Sequence, residues 1–79
     1  MRKLGDNLRI CRIILDELRT GPKAYTELER RSLSRSPTPW KFREGLRWLC
    51  ENGFVSHGYR GLYIITEKGI SFLEAMAGL

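Results

Sequence analysis

The sequence predicts an α+β fold in which a three-helix bundle precedes a two-stranded β-hairpin and a final helix. Apolar residues recur at helical spacing up to Gly53, β-branched and aromatic residues follow it, and helical spacing returns after Thr66. A chain of 79 residues suffices for one small domain, so residues 1–79 are expected to form a single one.

The first helix is predicted over residues 7–19. Its apolar residues form a stripe that isoleucines widen almost halfway round the helix: Leu8, Ile10, Cys11, Ile13, Ile14, Leu15 and Leu18. A helix this broadly apolar is either central in the core or shared with a second subunit. A second, shorter helix is predicted over residues 25–33, with Thr26 and Glu29 spaced as a capping box.

The third helix is predicted between Ser36 and Asn52, and the rest of the chain is interpreted around it. Thr38 is expected to cap its first free N–H groups, and Pro39 suits the first helical position. One face carries the apolar residues Phe42, Leu46, Leu49 and Cys50. Gly53 then predicts the helix end, because glycine readily adopts a left-handed conformation.

A β-hairpin is predicted after Gly53, with strands over residues 54–57 and 62–66. The tip, residues 58–61, has a glycine at each end to supply positive φ angles. Thr66 is expected to cap a last helix from residue 67 to about residue 77, with Glu67 favourably placed in its first turn.

Charge is unevenly distributed along this basic chain, which has a net charge of +5 and a pI of about 9.7. Residues 30–47 contain six cations and one acid, whereas residues 62–79 contain one cation and two acids. A concentrated basic segment favours a polyanionic partner. The alternative is that these arginines form a solvated surface.

Two stretches resemble the small archaeal winged-helix regulators. Residues 46–55 fit the pattern Leu-x-x-Leu-x-x-x-Gly followed by two apolar residues, and residues 63–69 fit Tyr-x-Ile-Thr-x-x-Gly. The resemblance extends over nearly the whole chain, in layout only for its first half. Sso10a-like, MarR-like and PadR-like proteins share the pattern.

The resemblance implies a DNA-binding protein whose third helix enters the major groove and whose hairpin, the wing, meets the minor groove or the backbone. The helix residues that would face the groove are Trp40, Lys41, Arg43, Glu44 and Arg47. Arg60 would make the wing contact, helped by Tyr59 and His57. The implied activity is transcriptional regulation on double-stranded DNA by a homodimer, joined through the apolar surfaces of the first and last helices.

Side-chain chemistry indicates a role for each candidate. Arg43 and Arg47 are expected to contact guanine edges or phosphates. Phosphate contacts are assigned to Arg30, Arg31, Arg35 and Lys41, and a further phosphate to the helix start at Ser36 and Thr38. Glu44 is expected either to accept from a cytosine amino group or, more simply, to pair with Lys41 or Arg47.

Two features depart from the family pattern. Trp40 is bulkier than the serine or threonine expected at the start of the third helix, and Gly45 lies in mid-helix at a cost of about 1 kcal/mol relative to alanine. Both indicate either a close approach to a backbone or a helix that is not a standard base reader. Trp48 lies away from the apolar stripe and is expected at the core edge or on a dimer surface.

Other classes of function find little support. No catalytic triad, phosphate loop or metal-ligand spacing is found, so no enzyme activity, metal or cofactor is expected. Cys11 and Cys50 are expected to be buried free thiols, or a disulfide if the source is a thermophile. The chain has no apolar run long enough to span a membrane and no secretory signal, so cytoplasm is expected. A sequence-tolerant architectural chromatin protein and a protein-interaction module remain as alternatives.

Overall fold

The computed structural model describes the backbone from Arg2 to Gly78 and the side chains of residues 8–58 and 60–78. Its four helices are α1 (Arg2–Arg19), α2 (Tyr25–Arg35), α3 (Pro39–Glu51) and α4 (Glu67–Ala77). Its three strands are β1 (Lys23–Ala24), β2 (Val55–His57) and β3 (Leu62–Ile65), with a 3₁₀ turn at Tyr59–Gly61 between the last two. The predicted α+β class is confirmed.

The sheet is antiparallel and has the strand order β1-β3-β2. The predicted hairpin is formed by β2 and β3, with His57 opposite Tyr63 and Val55 opposite Ile65. The prediction of only two strands is wrong, because Lys23 pairs with Tyr63 on the other side of β3. A two-residue strand is too short to show alternation, so the sequence pattern alone does not reveal it.

α1 is the centre of the core and contacts the three other helices as well as β3. Its apolar side chains from Ile10 to Leu18 are all buried within the chain. The central position, rather than a surface shared with a second subunit, therefore accounts for the breadth of its apolar stripe in the described residues. No helix within Arg2–Gly78 has both the length and the apolar character needed to cross a membrane.

α1 begins at Arg2, earlier than the predicted residue 7, whereas α2 and α3 begin where predicted but lack their predicted side-chain caps. α2 begins at Tyr25, directly after Ala24, so Thr26 lies inside the helix and the capping box is wrong. α3 begins at Pro39 as predicted, but the Thr38 side chain makes no cap hydrogen bond. The Thr38 Oγ1 is instead buried without a hydrogen-bond partner.

The end of α3 agrees with its prediction. Gly53 has a φ of +79°, its N–H donates to the Cys50 carbonyl at 3.2 Å, and the Phe54 N–H donates to the Leu49 carbonyl at 2.9 Å. This pair of hydrogen bonds is a Schellman motif. The Trp48 and Phe54 rings, 5.6 Å apart, provide the apolar contact that accompanies the motif.

Thr66 joins the start of α4 to the end of α3. Its Oγ1 accepts from the Gly69 N–H at 3.0 Å, which confirms the predicted cap, and donates to the Gly53 carbonyl at 2.7 Å. The first turn of α4 passes so close to the two ends of the hairpin that a Cβ added at Gly69 would clash with the carbonyl of Phe54 and with Ile65. Gly69 is therefore required for this approach.

Replacing Gly69 by alanine is expected to lower the free energy of unfolding by about 1–3 kcal/mol, because the added methyl group meets a backbone oxygen that cannot rotate away. Urea denaturation measures the loss. Gly58→Ala is the control, since a Cβ there would meet only the Ser56 Oγ at an ordinary 3.9 Å and the position has no positive φ angle; it should change stability by less than about 0.5 kcal/mol. Equal denaturation midpoints for the two variants would contradict this account.

Candidate nucleic-acid interface

α3 has a buried face and an exposed face. The buried residues are Phe42, Gly45, Leu46 and Leu49. Successive helical residues are about 100° apart, so Arg43 and Arg47 lie only about 40° apart on the exposed side. Both arginines are exposed, and neither forms an ion pair with the side chains that the structure describes. Their charge is therefore available to an external anion.

A groove of about 500 Å³ separates this side of α3 from the hairpin. Arg43 and Arg47 line it together with five residues of mixed character: Tyr25, Leu46, Cys50, His57 and Tyr63. The groove therefore has two cationic groups on its helical wall and aromatic rings on the opposite wall.

Aromatic rings run from the hairpin to α3 beneath this groove. His57 stacks on Tyr63 with 4.0 Å between ring centroids and a 5° interplanar angle. Tyr63 lies 6.2 Å from Tyr25, which meets Phe42 edge-on at 5.6 Å. Burial raises the pKa of Tyr63, and Cys50 and Tyr25 raise it further. The Tyr63 phenol therefore stays protonated at neutral pH and remains a hydrogen-bond donor.

The other α3 candidates are spread around the helix. Trp40 has 58% of its surface exposed and Glu44 is also exposed. Lys41 is half-buried and lies about 160° around the helix from Arg43, so these two cations do not share a face. Among the described side chains, Glu44 forms no ion pair with Arg47, so that one of its two predicted pairings is not found.

Two of the three α2 arginines assigned to phosphates have carboxylate partners. Arg35 lies 3.2 Å from Asp16 and 3.3 Å from Glu17, both on α1. Arg31 lies 3.4 Å from Glu27 and 3.9 Å from Glu17. The pairs with Asp16 and Glu17 join α2 to α1, and all four locally neutralise the two arginines. Arg30 is exposed and has no carboxylate partner among the described side chains.

The turn before α3 offers less to a phosphate than the sequence suggests. The Ser36 N–H donates to the Ser32 carbonyl at 3.0 Å, so it is already engaged at the end of α2. The Thr38 hydroxyl is buried, and the Thr38 N–H donates to the Ser36 carbonyl at 2.8 Å. Both residues therefore act within the turn in this structure.

Arg60 occupies the tip of the hairpin. It is exposed and adopts a left-handed conformation with a φ of 59° and a ψ of 26°. Gly61 has a φ of +72°, so one tip glycine and Arg60 supply the positive φ angles, rather than two glycines. The Tyr59 side chain lies outside the described residues.

Trp48 lies at the core edge, which is one of the two locations predicted for it. It packs 5.6 Å from Phe54 and 6.0 Å from Phe72, and those two rings stack at 4.4 Å. It remains 43% exposed beside a second cleft of about 400 Å³ between α1 and α3.

Two features of this region are not predicted by the sequence pattern. Lys23 is only 6% exposed. Its Nζ donates to the Glu17 carbonyl and to the Thr20 hydroxyl, each at 2.7 Å. It thereby ties β1 to the carboxyl end of α1, where the helix dipole favours a cation. Lys23 follows Gly21-Pro22, and a cation just beyond a helix end is the one clue to this role that the sequence offers. The second feature is the groove wall formed by Tyr25 and Tyr63.

Both cysteines are free thiols, Cys11 buried and Cys50 half-buried. Burial raises the pKa of the Cys11 thiol to about 11. The pKa of Cys50 is also raised, by burial and by the nearby Glu51.

No known family model, curated protein or solved structure significantly matches this chain.

At about pH 8, a soluble thiol reagent is expected to modify Cys50 before Cys11 in the native protein, because burial hinders both access to Cys11 and formation of its thiolate. Mass spectrometry of digested samples measures the order. In Cys50→Ala, the remaining thiol should react only upon denaturation. Because the pKa of Cys11 rises from 9.0 to about 11 on folding, its contribution to stability is complete below about pH 9 and declines as pH rises toward 11. Rapid native modification of Cys11 would contradict the burial.

Proposed function

We propose that this protein binds double-stranded DNA in the manner of winged-helix regulators, with α3 in the major groove, and regulates transcription. The element order supports this proposal: two helices precede α3, and an antiparallel hairpin follows it directly. β1 between α1 and α2, which pairs with β3, also agrees with a winged-helix arrangement.

The observation on which the proposal rests is the pair of exposed arginines at Arg43 and Arg47. They lie one turn apart, share a face and have no carboxylate partner among the described side chains. A guanidinium group matches either a phosphate or the O6 and N7 atoms of guanine. An exposed helix of this kind fits the major groove, which is about 12 Å wide.

The remaining basic groups have supporting roles in this proposal. Arg60, at the hairpin tip, contacts the minor groove or the backbone beside it. Arg30 and Lys41 contribute phosphate contacts. Arg31 and Arg35 must release their carboxylate partners before they can contact phosphates. This costs little free energy, because exposed ion pairs are worth about 0–1 kcal/mol.

Replacing both Arg43 and Arg47 by alanine is expected to weaken duplex binding by at least about 30-fold, since each contact is worth about 1–3 kcal/mol. Fluorescence anisotropy with a labelled duplex of about two helical turns, ~20 base pairs, measures the loss. About six phosphate contacts per protomer give a slope of log K against log salt near −5, and losing two should make it shallower by about 1.8.

The matched control is Arg9→Ala/Arg12→Ala, which removes the same charge from the exposed side of α1. Its affinity should fall much less than that of the α3 double variant. Equal losses would assign binding to net charge alone and contradict the α3 interface. An unlabelled duplex of random sequence is also added as competitor. If it displaces the labelled duplex as well as an unlabelled duplex of the same sequence does, binding is sequence-tolerant, which would favour an architectural protein over a regulator.

The proposal includes a homodimer, which would place two α3 helices about 34 Å apart on a pseudo-palindromic site. α1 adds little to such a contact, because its described apolar side chains from Ile10 to Leu18 are buried within the chain. The proposed contact therefore rests on α4, where Ile70 is 37% exposed.

Sedimentation equilibrium is expected to give about twice the 9.2 kDa chain mass, and Ile70→Glu should shift the protein to the monomer mass by introducing a charge into the apolar contact. Ile64→Glu, at an equally exposed isoleucine on β3, is the control and should leave the dimer intact. A native chain that sediments at the monomer mass would refute the homodimer without affecting the DNA-binding test.

A further inference from the structure

Trp40 is the most exposed of the large apolar side chains that the structure describes, with 58% of its surface accessible. Trp48 is also on α3, but it packs against Phe54 and Phe72. No ring contact in the described residues involves Trp40. An exposed tryptophan without an aromatic neighbour is unexplained by the packing of the chain itself.

The position of Trp40 relates it to the proposed DNA surface. It is the second residue of α3, and it lies about 60° around the helix from Arg43 and about 20° from Arg47. It therefore shares the exposed side with the two arginines. When a helix of this type enters the major groove, its N-terminal residues approach the base edges.

The chemistry of the major groove limits what an indole ring can contact there. Base edges present hydrogen-bond donors and acceptors, and their one apolar group is the C5 methyl of thymine. Wedge residues that open base steps insert from the minor groove, on the other side of the duplex. An indole next to two arginines that face the major groove is therefore best matched by thymine methyl groups.

We propose that Trp40 packs against one or two thymine methyl groups in the major groove and makes the protein prefer thymine at the base pairs next to the N-terminus of α3. This inference rests on the proposed DNA binding and adds a determinant of sequence preference. The contact buries apolar surface on both partners, at an indole that the chain itself leaves 58% exposed.

The experiment changes only the methyl groups. Binding is measured by anisotropy for a duplex of alternating adenine and thymine of about 20 base pairs, and for the same duplex with uracil in place of every thymine. Burying one methyl group changes affinity by about fourfold, so the native protein should bind the thymine duplex about four- to 15-fold more tightly. Trp40→Ala should bind both duplexes equally, and Trp40→Leu should retain part of the preference.

Trp48→Phe is the matched control, because it changes the other tryptophan of α3 and preserves an aromatic ring beside Phe54. It should keep the full thymine preference. Circular dichroism and urea denaturation of each variant show that it remains folded.

The outcomes distinguish this inference from the proposal beneath it. If the native protein binds both duplexes equally well, the methyl contact is refuted while DNA binding stands. If Trp40→Ala keeps the preference, the discrimination comes from DNA shape, and the inference is also refuted. If, in the same assay with one strand alone, Trp40→Ala loses affinity only for single-stranded DNA, Trp40 stacks on unpaired bases and the inference is refuted. If no duplex binds at low salt, both proposals fail.

Discussion

The close approach of α1 and α3 at Ile10 and Gly45 determines how the rest of the structure is oriented. A Cβ atom added at Gly45 would lie 2.9 Å from the Ile10 Cγ2 atom, so only glycine allows the two helices to meet at this distance without rearrangement. The mid-helix glycine costs about 1 kcal/mol in helix propensity. In return, Phe42, Leu46 and Leu49 become fully or almost fully buried. The opposite side of α3, with Arg43 and Arg47, must then face outward.

The hairpin is held at a defined place relative to that exposed side. The Schellman motif at Gly53 turns the chain from α3 into β2, and Thr66 connects the other end of the hairpin to the same turn through the Gly53 carbonyl. The Thr66 N–H also donates to the Phe54 carbonyl at 3.1 Å. Because both ends of the hairpin are bonded next to the end of α3, the groove between them is formed by backbone geometry rather than by flexible side chains.

The charges of the basic segment have two different environments. Arg31 and Arg35 face the carboxylates of Asp16, Glu17 and Glu27, whereas Arg43 and Arg47 face solvent. Counting charge along the chain treats these four arginines alike. The structure separates them because α2 packs beside the acidic flank of α1, while α3 turns its charged flank away from it. Local neutralisation of α2 leaves the exposed flank of α3 as the better candidate for binding an anion.

Much of the fold was determined by local sequence. The apolar spacing of α3, Pro39 at its start, Gly53 at its end and Thr66 before α4 each act within a few residues, so the limits of these elements were predictable. Of the candidate site, the pattern also located Arg43 and Arg47 on one exposed face, since that follows from helical geometry alone.

The rest depended on tertiary structure. The pairing of Lys23 with Tyr63 and the ion pairs of Arg31 with Glu17 and of Arg35 with Asp16 join residues that are distant in sequence. The burial of the α1 isoleucines likewise depends on packing between elements. Tertiary packing also overrides a local prediction at Thr38. Its position before Pro39 predicts a cap, but its hydroxyl is buried without a hydrogen-bond partner. Local propensities specify which segments become helices and strands, whereas contacts between segments decide which side chains remain available to a ligand.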